Sequence, residues 1–99
     1  MLHIVNKSHT QTGALASCLR FALPGSALLL TEDAIYAATA AAAATSGVAT
    51  AVARISVYAL LPDVEACGMV GKLVDGITTV DYGGFVDLVA EHATNQSWL

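Results

Sequence analysis

Ala27-Leu28-Leu29-Leu30-Thr31-Glu32-Asp33 is the stretch on which the fold turns. Four apolar residues in unbroken succession suit a strand buried on both faces, as in the middle of a parallel sheet. Glu32-Asp33 follows at once, and carboxylates there cap a helix start and oppose its dipole. The spacing predicts a helix from Ala34 to about Ala44, whose alanines combine high helix propensity with little bulk and allow another element to come close. Upstream, Leu2–Val5 reads as strand one, and polar Asn6–Gly13 as a loop in which Thr10 or Thr12 caps the next helix. Ala14, Leu15, Cys18, Leu19 and Ala22 recur at helical spacing until Pro24-Gly25 stops them. Downstream, Gly47 marks a break, and Ile55–Leu60 reads as strand three. Pro62 opens a short helix through Cys67, Asp75-Gly76 turns, and Ile77–Val80 is strand four. Asp81–His92 is the last helix, with Phe85, Leu88 and Val89 on one face, and a tail runs from Asn95 to Leu99.

Strands alternating with helices imply a mainly parallel sheet with helices on both sides. The expected architecture is a three-layer α/β/α sandwich with four to five strands and a flavodoxin-like order of elements, one domain spanning residues 1–99. Hydrophobic residues make up 56% of the 99 and charged residues 12%, about half the charge of an average soluble domain. So small a surface shows apolar atoms unless a partner covers them, which points to an obligate oligomer. The net charge is −4, and the cations Lys7, Arg20, Arg54 and Lys72 are scattered, which argues against nucleic-acid binding. Ala34–Ala53 is uncharged for about the length of a spanning helix, but its alanines, threonines and Gly47 argue against a membrane span. Cys18 and Cys67 form no CxxC, and His3, His9 and His92 lack metal-ligand spacing. No metal or cofactor is expected, and two free thiols suit a reducing cytoplasm.

Ligands in parallel sheets gather beyond the carboxyl ends of the strands, here Asn6-Lys7-Ser8, Thr31-Glu32-Asp33, Leu61-Pro62-Asp63 and Asp81-Tyr82. No phosphate-binding glycine motif accompanies them. Glu32 with Asp33 would make an acid/base pair, but capping is the better reading, as it is for Asp63 and Asp81. Lys7 reads as a solvated loop charge, and Ser8 has no sequence-near base. Cys18 would accept sulfur as a persulfide if its pKa were depressed by Lys7, His9 or Arg20. Its place on the stripe of Leu15, Leu19 and Ala22 equally suits a small buried hydrophobe. Cys67, three residues from Val64, reads the same way. Trp98 and Leu99 either anchor a partner or fold back on their own domain.

Leu2-His3-Ile4-Val5-Asn6-Lys7-Ser8 resembles the opening of the DsrH/TusB family of sulfur-relay subunits. So do Leu28-Leu29-Leu30, Glu32-Asp33, Tyr36-Ala37, Val57-Tyr58-Ala59-Leu60 and Asp63, followed by Val80-Asp81-Tyr82, Phe85-Val86-Asp87-Leu88 and Gln96-Ser97-Trp98-Leu99. The resemblance implies a DsrE/DsrF/DsrH-like fold and a heterohexamer with DsrE/TusD-like and DsrF/TusC-like subunits. It also implies transfer of persulfide sulfur to a TusE/DsrC-like acceptor, for sulfur oxidation or for 2-thiolation of the tRNA wobble uridine. Cys18 stands where Dsr-type members carry a first-helix cysteine. It is therefore the candidate persulfide carrier, and it leans the resemblance towards sulfur oxidation. Ala34 stands where such sequences usually have glycine, and Cys67 where a basic residue is common. In its active form the subunit passes sulfur through Cys18; in its passive form it only shapes the assembly. The alternatives are a stand-alone small-molecule or nucleotide-binding module and a structural homo-oligomer.

Overall fold

A computed structural model describes residues 1–98. Five strands, β1 (Leu2–Val5), β2 (Ala27–Leu30), β3 (Ser56–Leu60), β4 (Ile77–Val80) and β5 (Asn95–Trp98), form one all-parallel sheet in the order β4-β3-β2-β1-β5. The helices are α1 (Ala14–Phe21), a 3-10 helix (Glu32–Ala38), α2 (Ala43–Ser46), α3 (Val48–Ala51), α4 (Leu61–Ala66) and α5 (Tyr82–Glu91). The alternation is as expected, but the strand order is not flavodoxin's 2-1-3-4-5. From β1 to β4 the chain steps one way across the sheet, and then it returns past β1. Right-handed crossovers therefore put every connection before β4 on one face and α5 alone on the other.

The two apolar clusters match this division. Val5, Leu28, Leu30, Val57 and Ala59 pack with Leu15, Cys18, Ile35, Val48 and Val64 of the connecting helices. Leu2, Leu29 and Leu60 point the other way, alternate along the strands, and meet Leu88 and Phe85 of α5. β2 is buried at all four positions, as its unbroken apolar run requires. Asp81 caps α5 by accepting from the Gly84 amide at 2.8 Å. A Cβ at Gly84 would lie 2.9 Å from the Val80 Cβ, so glycine permits this tight passage from β4 to helix.

The helix expected over Ala34–Ala44 is instead a 3-10 helix that stops at Ala38. The backbone beyond it is engaged elsewhere: Val74 N–H donates to the Ala38 carbonyl (2.8 Å) and Ala40 N–H to the Lys72 carbonyl (2.9 Å). An α-helix would need those groups for itself. Gly47 then separates two single turns, α2 and α3, with φ +91°. Among the described residues no helix is long and apolar enough to cross a membrane. Arg54 fastens this excursion to α1: its Nη1 donates to the Ala22 carbonyl (2.6 Å) and its Nη2 to the Leu19 carbonyl (2.9 Å). Those are carbonyls at the helix C-terminus, where a cation is favoured.

The tail from Asn95 is strand β5, paired with β1 from Leu2↔Asn95 to Val5↔Trp98. Its first three residues are exposed, because an edge strand with one open face needs no apolar alternation.

Candidate functional site

The carboxyl ends of β2 and β3 come together as a polar knot. Glu32 opens the 3-10 helix with φ +49°, in the left-handed region that costs a non-glycine residue roughly 1 kcal/mol or more. Its N–H donates to Asp63 Oδ2 at 2.7 Å, tying the end of β2 to α4. The Cys67 thiol donates to the Glu32 carbonyl at 3.8 Å. The neighbouring Cys67 thiol, and after it burial and Asp33, pushes the Tyr36 phenol pKa up. Asp63 therefore bridges two strand ends, whereas Asp81 is the helix cap expected of it. Reactive thiolates need an electropositive surrounding, and the groups gathered here are carboxylates and a phenol. In the loop after β1, Ser8 Oγ is bonded to Thr10 Oγ1 at 2.8 Å. Thr12 Oγ1 accepts from Ala14 N–H (3.3 Å) at the start of α1. Among the described residues no three His, Cys, Asp or Glu side chains converge as metal ligands.

Cys18 lies on the inner stripe of α1 with no exposed surface, beside Leu15 and Ala22. Burial pushes its thiol up to about 11 from 9.0. Lys7 and Arg20 are exposed, and burial is the sole source of the shift, so no cation draws the thiol towards thiolate.

Trp98 ends β5 level with Val5, and its side chain reaches back along the sheet edge towards the amino end. Its Nε1–H donates to His3 Nδ1 at 3.1 Å, and its ring lies nearly parallel to Phe21, 12° apart with centroids 6.5 Å distant. His3 is buried, and desolvation, helped by the N-terminal ammonium, lowers its pKa. Leu99 lies outside the described residues.

The family model described as "DsrH like protein" matches residues 7–95. "Protein TusB" of Serratia proteamaculans is 37% identical over 98 residues, which cover 99% of this chain and 100% of that protein. "Protein TusB" of Escherichia coli O81 and of Shigella flexneri are each 34% identical with the same coverage. The chain belongs to the DsrH/TusB family.

A solved protein of unknown function from Methanobacterium thermoautotrophicum superposes on this DsrH/TusB chain with a TM-score of 0.74, covering 97% of it and 95% of that protein. At 15% identity that likeness concerns the fold alone. Within the DsrH/TusB chain the structure joins Glu32, Asp33, Asp63 and Cys67 at one sheet end and leaves Cys18 apart in the core. The residue that the sequence reading passed over is His3, which was weighed only as a metal ligand. Its signal was available: a histidine in the middle of a buried strand, in a chain whose sole tryptophan had no local partner.

Proposed function

We propose that this chain is a subunit of a cytoplasmic sulfur-relay complex of the DsrEFH/TusBCD type, serving 2-thiolation of the tRNA wobble uridine. It assembles with DsrE/TusD-like and DsrF/TusC-like subunits in a heterohexamer, and the complex hands persulfide sulfur to a TusE/DsrC-like acceptor. The observation that carries this reading is the end-to-end match to relatives named TusB at 34–37% identity. Their name favours the tRNA branch over the sulfur-oxidation branch towards which Cys18 alone leans.

Within the complex the subunit takes the passive role, and the sulfur-bearing thiols belong to its partners. Complete burial of Cys18 and its raised pKa support this assignment, since the thiolate is the form that accepts sulfur. The outer side of α5 supports a life among partners: Tyr82, Val86 and Val89 form an exposed apolar stripe one turn apart. Deleting the gene in the organism that carries it, and measuring wobble 2-thiouridine by mass spectrometry of digested tRNA, tests the branch. Loss of 2-thiouridine is the expected result. Unchanged 2-thiouridine would refute it.

A further inference from the structure

A cavity of about 340 Å³ opens at the amino end of the sheet, between the end of α1, β1 and β5. Its apolar walls are Met1, Phe21, Leu23 and Trp98, and its polar groups come from His3, Ser26 and Gln96. Two of these polar residues are more than nine-tenths buried, His3 at 4% exposure and Ser26 at 7%.

The indole N–H of Trp98 can only donate, so His3 Nδ1, 3.1 Å away, must accept. A neutral imidazole with Nδ1 accepting carries its proton on Nε2. That Nε2–H has no partner among the described residues, and neither has the Ser26 hydroxyl. Both donors belong to residues that line the cavity, so an acceptor bound there would meet groups no protein acceptor occupies. None of the residues lining the cavity is Asp or Glu, although the chain carries eight such residues. Among the described residues the cavity therefore offers donors, aromatic walls and no carboxylate side chain. Its volume lies at the small end of ligand pockets.

We propose that this cavity binds a small planar aromatic compound bearing a carbonyl or carboxylate, whose oxygen accepts from His3 Nε2–H and Ser26 Oγ–H while its ring lies against Trp98 and Phe21. The site is at the other end of the strands from the Cys67 knot, and it stands independently of the sulfur-relay reading.

The test is an NMR titration of the isotope-labelled full-length chain with 2-naphthoate. The comparison ligand is 2-naphthylmethylammonium, which has the same ring, no acceptor and the opposite charge. Trp98 is the only tryptophan, so its indole N–H resonance is unambiguous. Saturable shifts of that resonance and of the His3 ring with 2-naphthoate are expected, with binding at least tenfold weaker for the ammonium compound. Ser26→Ala removes only the hydroxyl, because Ser26 enters the fold through backbone bonds. It should weaken 2-naphthoate about fivefold, the worth of one ordinary hydrogen bond. The proposal is overturned if Trp98 shows no saturable shift at millimolar 2-naphthoate. It is equally overturned if both compounds bind alike and Ser26→Ala changes nothing, since the cavity would then be an unselective apolar surface.

Discussion

Alkylation of Cys18 with iodoacetamide under native conditions is predicted to be slow by a calculable margin. A thiol raised to about 11 from 9.0 holds about a hundredfold less thiolate at neutral pH than an ordinary cysteine, since each unit is a factor of ten. The thiolate is the reactive species. Cys18 also has no exposed surface, so the reagent must wait for α1 to lift, and the native rate falls further below that hundredfold. Cys67, half-buried at the sheet end, is the internal comparison. The assay is timed quenching, digestion and mass spectrometry of the two cysteine peptides, repeated in urea, where the rates should converge. The same shift has a stability counterpart. The unfolded thiol ionises first, so stability present below about pH 9 is lost as pH rises towards 11, by about 2–3 kcal/mol in full. Native Cys18 reacting within threefold of its rate in urea would refute the argument, because the core position and the raised pKa would then both be wrong.

Three further outcomes follow from the same physics. His3 has a lowered pKa, so the unfolded state binds its proton more readily, and denaturation midpoints should fall as pH drops below about 6.5; protonated Nδ1 would also face the Trp98 N–H donor to donor, and His3→Gln should flatten the slope. Arg54→Ala removes two hydrogen bonds from the end of α1 and should cost about 1–2 kcal/mol, seen as a fall of roughly 4–8 °C per kcal/mol in the thermal midpoint. Gly47→Ala must hold φ at +91° and brings a Cβ 3.1 Å from Leu19 Cδ1, for a loss of about 1–2 kcal/mol by the same measurement.

The central strands were legible because burial on both faces writes itself as an unbroken apolar run, as in Ala27–Leu30, and α1 because its inner stripe repeats at helical spacing. β5 was hidden by the opposite circumstance: Asn95, Gln96 and Ser97 are exposed on an edge, and a polar strand has no pattern to read. The 3-10 helix from Glu32 was misjudged as an α-helix because alanine propensity is local, while its end at Ala38 is imposed by backbone bonds to residues 72–74. Strand order was likewise beyond reach, since nothing in the tail announces that it returns past β1. The site divided in the same manner. Asp81 was read correctly from its place before a helix, but Asp63 looked identical and serves the Glu32 amide 31 residues away. For Cys18, periodicity and the family resemblance pointed in different directions, and the structure puts it where periodicity did. Family membership was legible because it is spread along the whole chain in short motifs.

The most direct test is persulfide loading of the co-expressed complex. A sulfane sulfur donor is supplied, thiols are blocked, and each cysteine peptide is weighed by mass spectrometry in wild type, Cys18→Ser and Cys67→Ser. The account predicts reducible sulfur on a partner subunit, an unmodified Cys18 in the wild type, and undiminished partner loading in Cys67→Ser and in any Cys18→Ser complex that assembles. An added sulfur on Cys18 would contradict the passive role and make this subunit a carrier, and no loaded sulfur anywhere in the complex would contradict the relay itself.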